Sequence, residues 1–254
     1  MSHPGAAPPR ISVLIPAYNE ERLIGGVLDS VHESFRACGL TDYEVVVCDN
    51  NSTDATGSVA QTHGARVVFE PHNQISRARN AAAGSATGEW FIFLDGDTML
   101  NAAALKETVE ALAGGKQCGG GATLSFDQPD LGPFAGGITK LWNWISRTFN
   151  LAAGSYLFCL KDAWKDTGGF SSEVYAGEEL FFSRQVKQWG KPRGLRFQVL
   201  RHATIVTSAR KMVWYGQWEL LWHVLLMMRP TAMKRREACG LWYTRPADTP
   251  KSPG

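Results

Sequence analysis

Four short apolar runs alternate with stretches of helical spacing, and this constrains the fold more than anything else in the chain. The runs are Ile11-Ser-Val-Leu-Ile15, closed by Pro16, then Glu44-Val-Val-Val-Cys48, Arg66-Val-Val-Phe69 and Trp90-Phe-Ile-Phe-Leu94. Between the first two, Glu21 to Arg36 places Leu23, Ile24, Val27, Leu28, Val31 and Phe35 on one helical face. Asn51-Ser-Thr-Asp54 offers N-cap chemistry for a short helix through His63. An Ala-rich helix is expected from about Ile75 to Ser85. Strands that read as continuous apolar runs, separated by helices, predict an α/β fold whose mostly parallel sheet is covered on both faces. The helices are too irregular in length for a repeat protein.

The second half reads differently. Gly114 to Gly121 holds five glycines and is expected to be a loop or an internal break. Phe134 to Phe149 is aromatic and Gly-flanked, Glu178 to Trp189 has helical spacing, and Phe197 to Val206 is mainly strand-like. Val213 to Met228 reads as an amphipathic helix with Trp214, Trp218, Leu221, Trp222, Leu225 and Met228 on one stripe. The expected organisation is a tail over 1–10 and one domain over 11–211, divided into halves at 11–100 and 101–211. An aromatic helical extension over 212–244 and a flexible tail over 245–254 complete it.

With 254 residues, 44% of them hydrophobic, the chain can bury one sizeable core. A net charge of +2, with no long Lys or Arg block, argues against a nucleic-acid partner. Cys38, Cys48, Cys118, Cys159 and Cys239 are widely spaced, which predicts free thiols, several of them buried, in a reducing compartment. Met1 to Arg10 lacks the apolar stretch of a signal peptide, and no run approaches the ~18 apolar residues of a membrane span. The expected location is cytoplasmic.

Ligands of open parallel sheets bind beyond the carboxyl ends of the strands. Here those ends carry Pro16-Ala-Tyr-Asn-Glu20, Asp49-Asn-Asn-Ser-Thr-Asp54 and Asp95-Gly-Asp97. Each alone reads equally well as a turn or a cap. Together they place carboxylates on one edge, where they repel unless a cation or sugar hydroxyls lie among them.

The segment from Ile11 to about residue 100 resembles family 2 glycosyltransferases of the GT-A (Rossmann-like, nucleotide-diphospho-sugar transferase) fold. Ile11-Ser-Val-Leu-Ile-Pro-Ala-Tyr-Asn-Glu-Glu21 is similar to their opening strand and turn. Asp49-Asn-Asn-Ser-Thr-Asp-Ala-Thr56 is similar to the family's DDGSTDGT, with Asn50 and Asn51 in place of Asp-Gly. Arg77-Ala-Arg79-Asn80 resembles its R-x-x-R-N-type helix, and Asp95-Gly-Asp97 its DxD motif. The resemblance implies a UDP- or GDP-sugar donor and a Mg²⁺ or Mn²⁺ ion bound by Asp97. Asp95 would contact the ribose or the metal shell. Asp49, Tyr18 and Glu20, with the turn begun by Pro16, would hold the base and its ribose. Arg79 would reach the nucleotide or a phosphate. Arg77 is either a second such contact or part of a solvated helix face.

In the second half, Gly168-Gly-Phe170 and Gly177-Glu-Glu-Leu180 resemble the family's GGF…GED stretch, with Glu where the family usually has Asp. Inverting transfer needs a carboxylate to deprotonate the acceptor hydroxyl. The resemblance makes Glu179 that base and Glu178 its orienting neighbour; two acids favoured by a helix dipole is the plainer reading. His202 is either a further metal ligand, as in related enzymes, or structural. Thr207-Ser-Ala-Arg-Lys211 is similar to segments that follow this strand in family members, which implies that Arg210 and Lys211 offset charge on a departing diphosphate.

The Trp-rich stripe of 213–228, with basic flanks, suits peripheral contact at the inner face of a membrane, and equally a core or a second subunit in a homodimer. The acceptor is then a glycan, a small molecule or a lipid-linked substrate, and the sugar goes to an acceptor hydroxyl or to a phosphate of a lipid carrier. The alternatives to glycosyl transfer are a nucleotidyltransferase and a non-catalytic sugar-nucleotide-binding or membrane scaffold.

Overall fold

The computed structural model describes residues 10–128, 132–152, 154–210 and 230–243. Strands β1 (Ile11–Ala17), β2 (Tyr43–Asp49), β3 (Arg66–Phe69) and β4 (Trp90–Leu94) alternate with helices α1 (Ile24–Ala37), α2 (Thr56–Thr62) and α3 (Ile75–Ser85). The short β5 (Thr98–Met99) leads to α4 (Ala102–Ala113), β6 (Gln117–Phe126), α5 (Gly132–Phe149) and β7 (Tyr156–Leu160). Then come α6 (Lys161–Thr167), α7 (Glu178–Gly190) and β8 (Arg196–Thr207), with helical turns at Pro230–Met233, Arg236–Cys239 and Gly240–Tyr243.

The strands form one sheet in the order β3-β2-β1-β4-β7-β6-β8-β5. β3, β2, β1 and β4 run parallel, and β6 and β8 share their direction. Only β7 and β5 are reversed, so the mostly parallel sheet read from the sequence is the one formed. Side chains alternate between two cores, as the pleat requires. Val13, Ile15, Val45, Val47, Ile92 and Leu94 pack on one face with α1 and α4. Leu14, Val46, Cys48, Phe91 and Phe93 pack on the other with α3, α6 and α7. All five cysteines are free, and all but Cys38 are buried.

Two boundaries differ from the sequence reading. β1 does not stop at Pro16 but continues to Ala17. Pro16 faces Cys48 of β2, while pairing with β4 has already ended at Leu14, so no partner on that side needs the missing N–H. The glycine-rich stretch, expected as a loop, is largely a buried strand. A Cβ on Gly120 would run into the Gln198 carbonyl and the Phe158 ring, and one on Gly121 would lie 2.5 Å from the Ala152 Cβ. Glycine here permits close approach of neighbouring chain segments rather than turning the chain. The proposed helix over 213–228 lies outside the described residues.

Candidate active site

The carboxyl ends of β1 and β2 are level, because Ala17 faces Asp49 in the register. Leu14 faces Phe93, which brings Asp95 and Gly96 to the same edge. The loops beyond these ends interlock. Asn19, in the left-handed region at φ 50°, accepts from the Thr53 N–H at 2.8 Å, and its own N–H donates to Ser52 Oγ at 3.0 Å. The Glu20 N–H donates to Thr56 Oγ1 at 2.7 Å. Asp49 Oδ1 accepts from the Ser52 N–H at 2.9 Å. Gly57 leaves room for Asp49, since a Cβ there would sit 3.0 Å from Oδ2. Pro16, Tyr18 and Asp49 remain partly exposed along this edge.

The Asp95-Gly-Asp97 turn rests on this loop: a Cβ on Gly96 would meet the Pro16 carbonyl at 3.3 Å and Glu20 Cγ at 3.4 Å. Asp97 and Glu20 are both buried, and both approach one nitrogen of Arg210. Arg210 Nη2 lies 2.8 Å from Glu20 Oε1 and 3.5 Å from Asp97 Oδ2. The end of β8 that carries Arg210 is fixed to the turn by the Ser208 N–H, which donates to the Asp97 carbonyl at 3.0 Å. Thr98 Oγ1 also donates to Thr207 Oγ1 at 2.9 Å.

Arg79 joins this edge to the second half. Its guanidinium is buried, with Nη2 at 2.8 Å from both Asp95 Oδ1 and the Gly154 carbonyl, and Nη1 2.7 Å from Glu178 Oε1. Burial works against its charge, but Asp95, Glu178 and Glu179 outweigh burial and hold its pKa above the usual arginine value. The Phe170 ring lies beneath it, 5.3 Å away. The sequence reading had Arg79 reach the nucleotide or a phosphate; in the structure its guanidinium bonds two carboxylates and a carbonyl. Arg77 bonds Gln74 Oε1 through Nε at 3.1 Å.

Glu178 and Glu179 open α7 after Gly177, whose φ of 72° suits glycine. The first turn of a helix favours anions. Glu178 is buried in its ion pair with Arg79. Glu179 is partly exposed, and its pKa is pushed up to about 8, chiefly by burial and then by the Glu178 charge, with Arg79 opposing. Gly154 lies between the two groups; a Cβ there would meet Glu179 Cδ at 3.4 Å and Arg79 Nη2 at 3.5 Å. Asp95, Arg79, Glu178 and Glu179 are therefore one cluster, drawn from β4, α3 and α7.

His202 is not part of either cluster. It lies exposed on β8, five residues before Thr207, the partner of Thr98, and its N–H approaches Glu107 Oε2 at 3.2 Å. An extended strand rises roughly 3.3 Å per residue, so His202 and the Asp97 turn are well separated. Lys211 lies outside the described residues. No group of three or more His, Cys, Asp and Glu side chains among the described residues forms a ready-made metal site. The chemistry of the Asp97–Glu20 pair nevertheless fits Mg²⁺ or Mn²⁺. Two buried carboxylates supply hard oxygen donors and already share one positive charge, and such ions take their remaining ligands from water and substrate phosphates.

The profile of "Glycosyl transferase family 2" matches residues 12–155, more than half of the chain. The chain belongs to glycosyltransferase family 2. It is 28% identical over 193 residues to glycosyltransferase AglE of Haloferax volcanii, covering 72% of this chain and 62% of that relative's length. Among solved structures, it is similar to the mannosyltransferase PcManGT from Pyrobaculum calidifontis in complex with GDP-Man and Mn²⁺. The TM-score is 0.66 at 20% identity, over 92% of this chain and 65% of that one. S. aureus TarS in complex with UDP-GlcNAc gives 0.62 at 19% identity, over 92% and 70%. These likenesses show that the fold is GT-A.

Several residues that hold these clusters together were not singled out as site candidates by sequence. Asn80 Oδ1 accepts from the Phe170 N–H at 2.9 Å while its Nδ2 donates to the Phe170 carbonyl at 2.7 Å, fixing the Gly168-Gly-Phe170 turn. Gln74 Nε2 donates to the Ser172 and Val174 carbonyls. Asn50 bonds the carbonyls of Glu70 and His72 and accepts from the Gln74 N–H. Asn80 stood beside Arg79 in a motif, and Asn50 stood out as a departure from the family pattern; Gln74 had no signal. The segment 230–243 closes against the same region. The Tyr175 N–H donates to the Met233 carbonyl at 2.7 Å, and the Ile75 N–H donates to Tyr243 Oη at 3.3 Å.

Proposed function

We propose that the chain transfers a sugar, with inversion, from a UDP- or GDP-sugar to an acceptor hydroxyl, with Mg²⁺ or Mn²⁺ at Asp97. The observation that carries this reading is the buried Arg79 bridge, which ties Asp95 at the donor edge to the helix bearing Glu179. The base and ribose lie against Pro16, Tyr18, Glu20 and Asp49, at the level ends of β1 and β2. The chemistry supplied by the bound cation is neutralisation of the departing diphosphate. Arg210 adds positive charge there.

Glu179 acts as the general base. It accepts the proton of the acceptor hydroxyl while that oxygen bonds to the anomeric carbon, the bond to the phosphate oxygen breaks, and the nucleoside diphosphate leaves. A pKa near 8 makes Glu179 a stronger base than an ordinary carboxylate. Glu178, engaged by Arg79, orients the helix rather than taking the proton. GDP-Man with Mn²⁺ and UDP-GlcNAc in the structural neighbours support a nucleotide-sugar donor. The end of β1 and the loop after it read Pro16-Ala-Tyr-Asn-Glu20, without the Gly-rich, Arg-containing turn of nucleotidyltransferases, which leaves that reading unsupported.

A lipid-linked acceptor, reached by peripheral membrane contact, is the finer part of this reading. No helix among the described residues is long and apolar enough to cross a membrane. Leu141, Trp144 and Phe149 of α5 are exposed apolar side chains that suit such a contact. The test of the donor reading is a thermal-shift panel of UDP- and GDP-sugars with and without Mn²⁺. A ligand at about 100 times its Kd stabilises the native state by about 2.7 kcal/mol. At least one donor should raise the melting temperature more with Mn²⁺ than without. A panel in which no donor shifts it counts against the proposal.

A further inference from the structure

Asp97 and Glu20 come from different strand ends, yet their buried carboxylates converge on one guanidinium nitrogen. Two like charges held together in a poorly hydrated place require a counter-charge. Arg210 supplies it, and its placement is particular. The backbone around it is held by the Ser208 bond to the Asp97 carbonyl and by the Ala209 N–H, which donates to Asp127 Oδ1 at 2.8 Å. The side chain is long and 20% exposed, and its contact with Asp97, at 3.5 Å, is the weaker of the two. A fixed backbone with a long side chain, anchored on Glu20 and only weakly in contact with Asp97, describes a charge that can leave Asp97 without the fold moving.

We propose that Arg210 is the resident counter-cation of the Asp97–Glu20 pair, and that a divalent cation gains Asp97 by displacing it, which releases the guanidinium to the donor's diphosphate. This rests on the assignment of Asp97 as a cation ligand. The consequence is an ordering of charge. Without nucleotide, Mn²⁺ competes with an internal cation and binds weakly. With nucleotide, the displaced guanidinium finds a new anion, so Mn²⁺ and nucleotide each tighten the binding of the other. Reciprocity of this kind is required by linkage. Arg210 also cannot serve Asp97 and the diphosphate fully at once, so it reports which state the site is in.

The experiment titrates Mn²⁺ alone into the full chain and follows free Mn²⁺ by electron paramagnetic resonance, for wild type, Arg210→Gln and Arg210→Lys. Loss of the internal competitor should tighten Mn²⁺ binding to Arg210→Gln by roughly tenfold, within the usual range of site coupling. Arg210→Lys, which keeps the charge but not the forked geometry, should fall between the two. In the presence of Mn²⁺, UDP and GDP should bind Arg210→Gln more weakly than wild type. Added Mn²⁺ should also raise the melting temperature of Arg210→Gln more than that of wild type. If Arg210→Gln does not fold, Arg210→Lys carries the comparison in the same direction. Mn²⁺ binding to wild type with nucleotide, but no tightening in the folded variants, overturns the exchange alone. Absence of Mn²⁺ binding to wild type even with UDP or GDP overturns the cation assignment beneath it.

Discussion

The edge we propose for the donor and the side we propose for the acceptor reach order by different means. In the first half, β1 and β2 end level, β4 stops beside them so that Asp95 and Gly96 reach the same edge, and the loops after β1 and β2 hold one another through short polar side chains such as Asn19, Ser52 and Thr56. In the acceptor half, β6 is a glycine strand pressed between β7 and β8, and the acidic pair rides on a helix entered through a left-handed glycine. Neither half contains the site. The wall they share is α3, whose Arg79 and Asn80 reach across to Glu178 and Phe170, with Gln74 at its N-cap reaching Val174. The lesson is that a buried cation on α3 ties the end of β4 to the start of α7 within a core that both halves share.

The strongest way to break this comparison is Arg79→Met, which leaves Glu178 and Asp95 without their partner. Removing one member of a buried pair costs about 3–5 kcal/mol, so urea denaturation should show a loss of that order. A loss below about 1 kcal/mol, the scale of a surface pair, would mean that the Arg79 bridge does not join the halves.

Gly120→Ala probes the acceptor half alone. Its Cβ would strike the Gln198 backbone and the Phe158 ring, and overpacking typically costs about 1–3 kcal/mol. A neutral melt would show that β6 does not need its close approach. Asn80→Ala removes both bonds to the Phe170 backbone, with an expected cost of about 1–3 kcal/mol in the same denaturation assay. It should also slow turnover by moving the turn that leads to α7. Stability that falls with turnover unchanged would confine Asn80 to a structural role.

The smallest effect is expected at the donor half's outer margin. The Glu44 carboxyl is half-buried, which raises its pKa, but bonds from Arg66, the Thr87 N–H and Ser12 overcome this and hold it down to about 2. The folded value lies below the unfolded one. The stabilisation is therefore present above about pH 4.5 and is lost as pH falls toward 2. Arg66 is largely solvated, so Arg66→Ala should cost no more than about 1 kcal/mol and matter less at high salt. A larger, salt-independent loss would place this margin on a par with the α3 bridge.

The sequence carried the donor half almost entire. β3, β4 and α3 fall where apolar runs and Ala-rich spacing put them: β4 is a fully buried parallel strand, β3 a more exposed one at the sheet edge, and α3 carries a helical period. The acceptor half was less legible for one physical reason. Glycine marks a turn and a close strand contact with the same letter, and only the neighbours Phe158, Ala152 and Gln198 distinguish them. Site residues divide similarly. The acids at strand ends were visible from their position, and Arg79 was visible as a motif. That Arg79 turns inward to Glu178, 99 residues away, depends on packing that no local pattern encodes. His202 illustrates the reverse, a metal-capable residue whose place on β8 separates it from Asp97.

The most direct test of a single site built from both halves is to measure turnover and donor affinity together in Glu179→Gln, and to follow wild-type kcat/KM with pH. Proton abstraction requires the carboxylate, so kcat/KM should rise with pH and level off above about 8, where Glu179 is ionised. The variant should lose about 10²–10⁴-fold in turnover, the usual contribution of a general base, with donor affinity kept within about threefold. Turnover within tenfold of wild type, with the same pH profile, would contradict the assignment of Glu179 and with it the site that Arg79 joins.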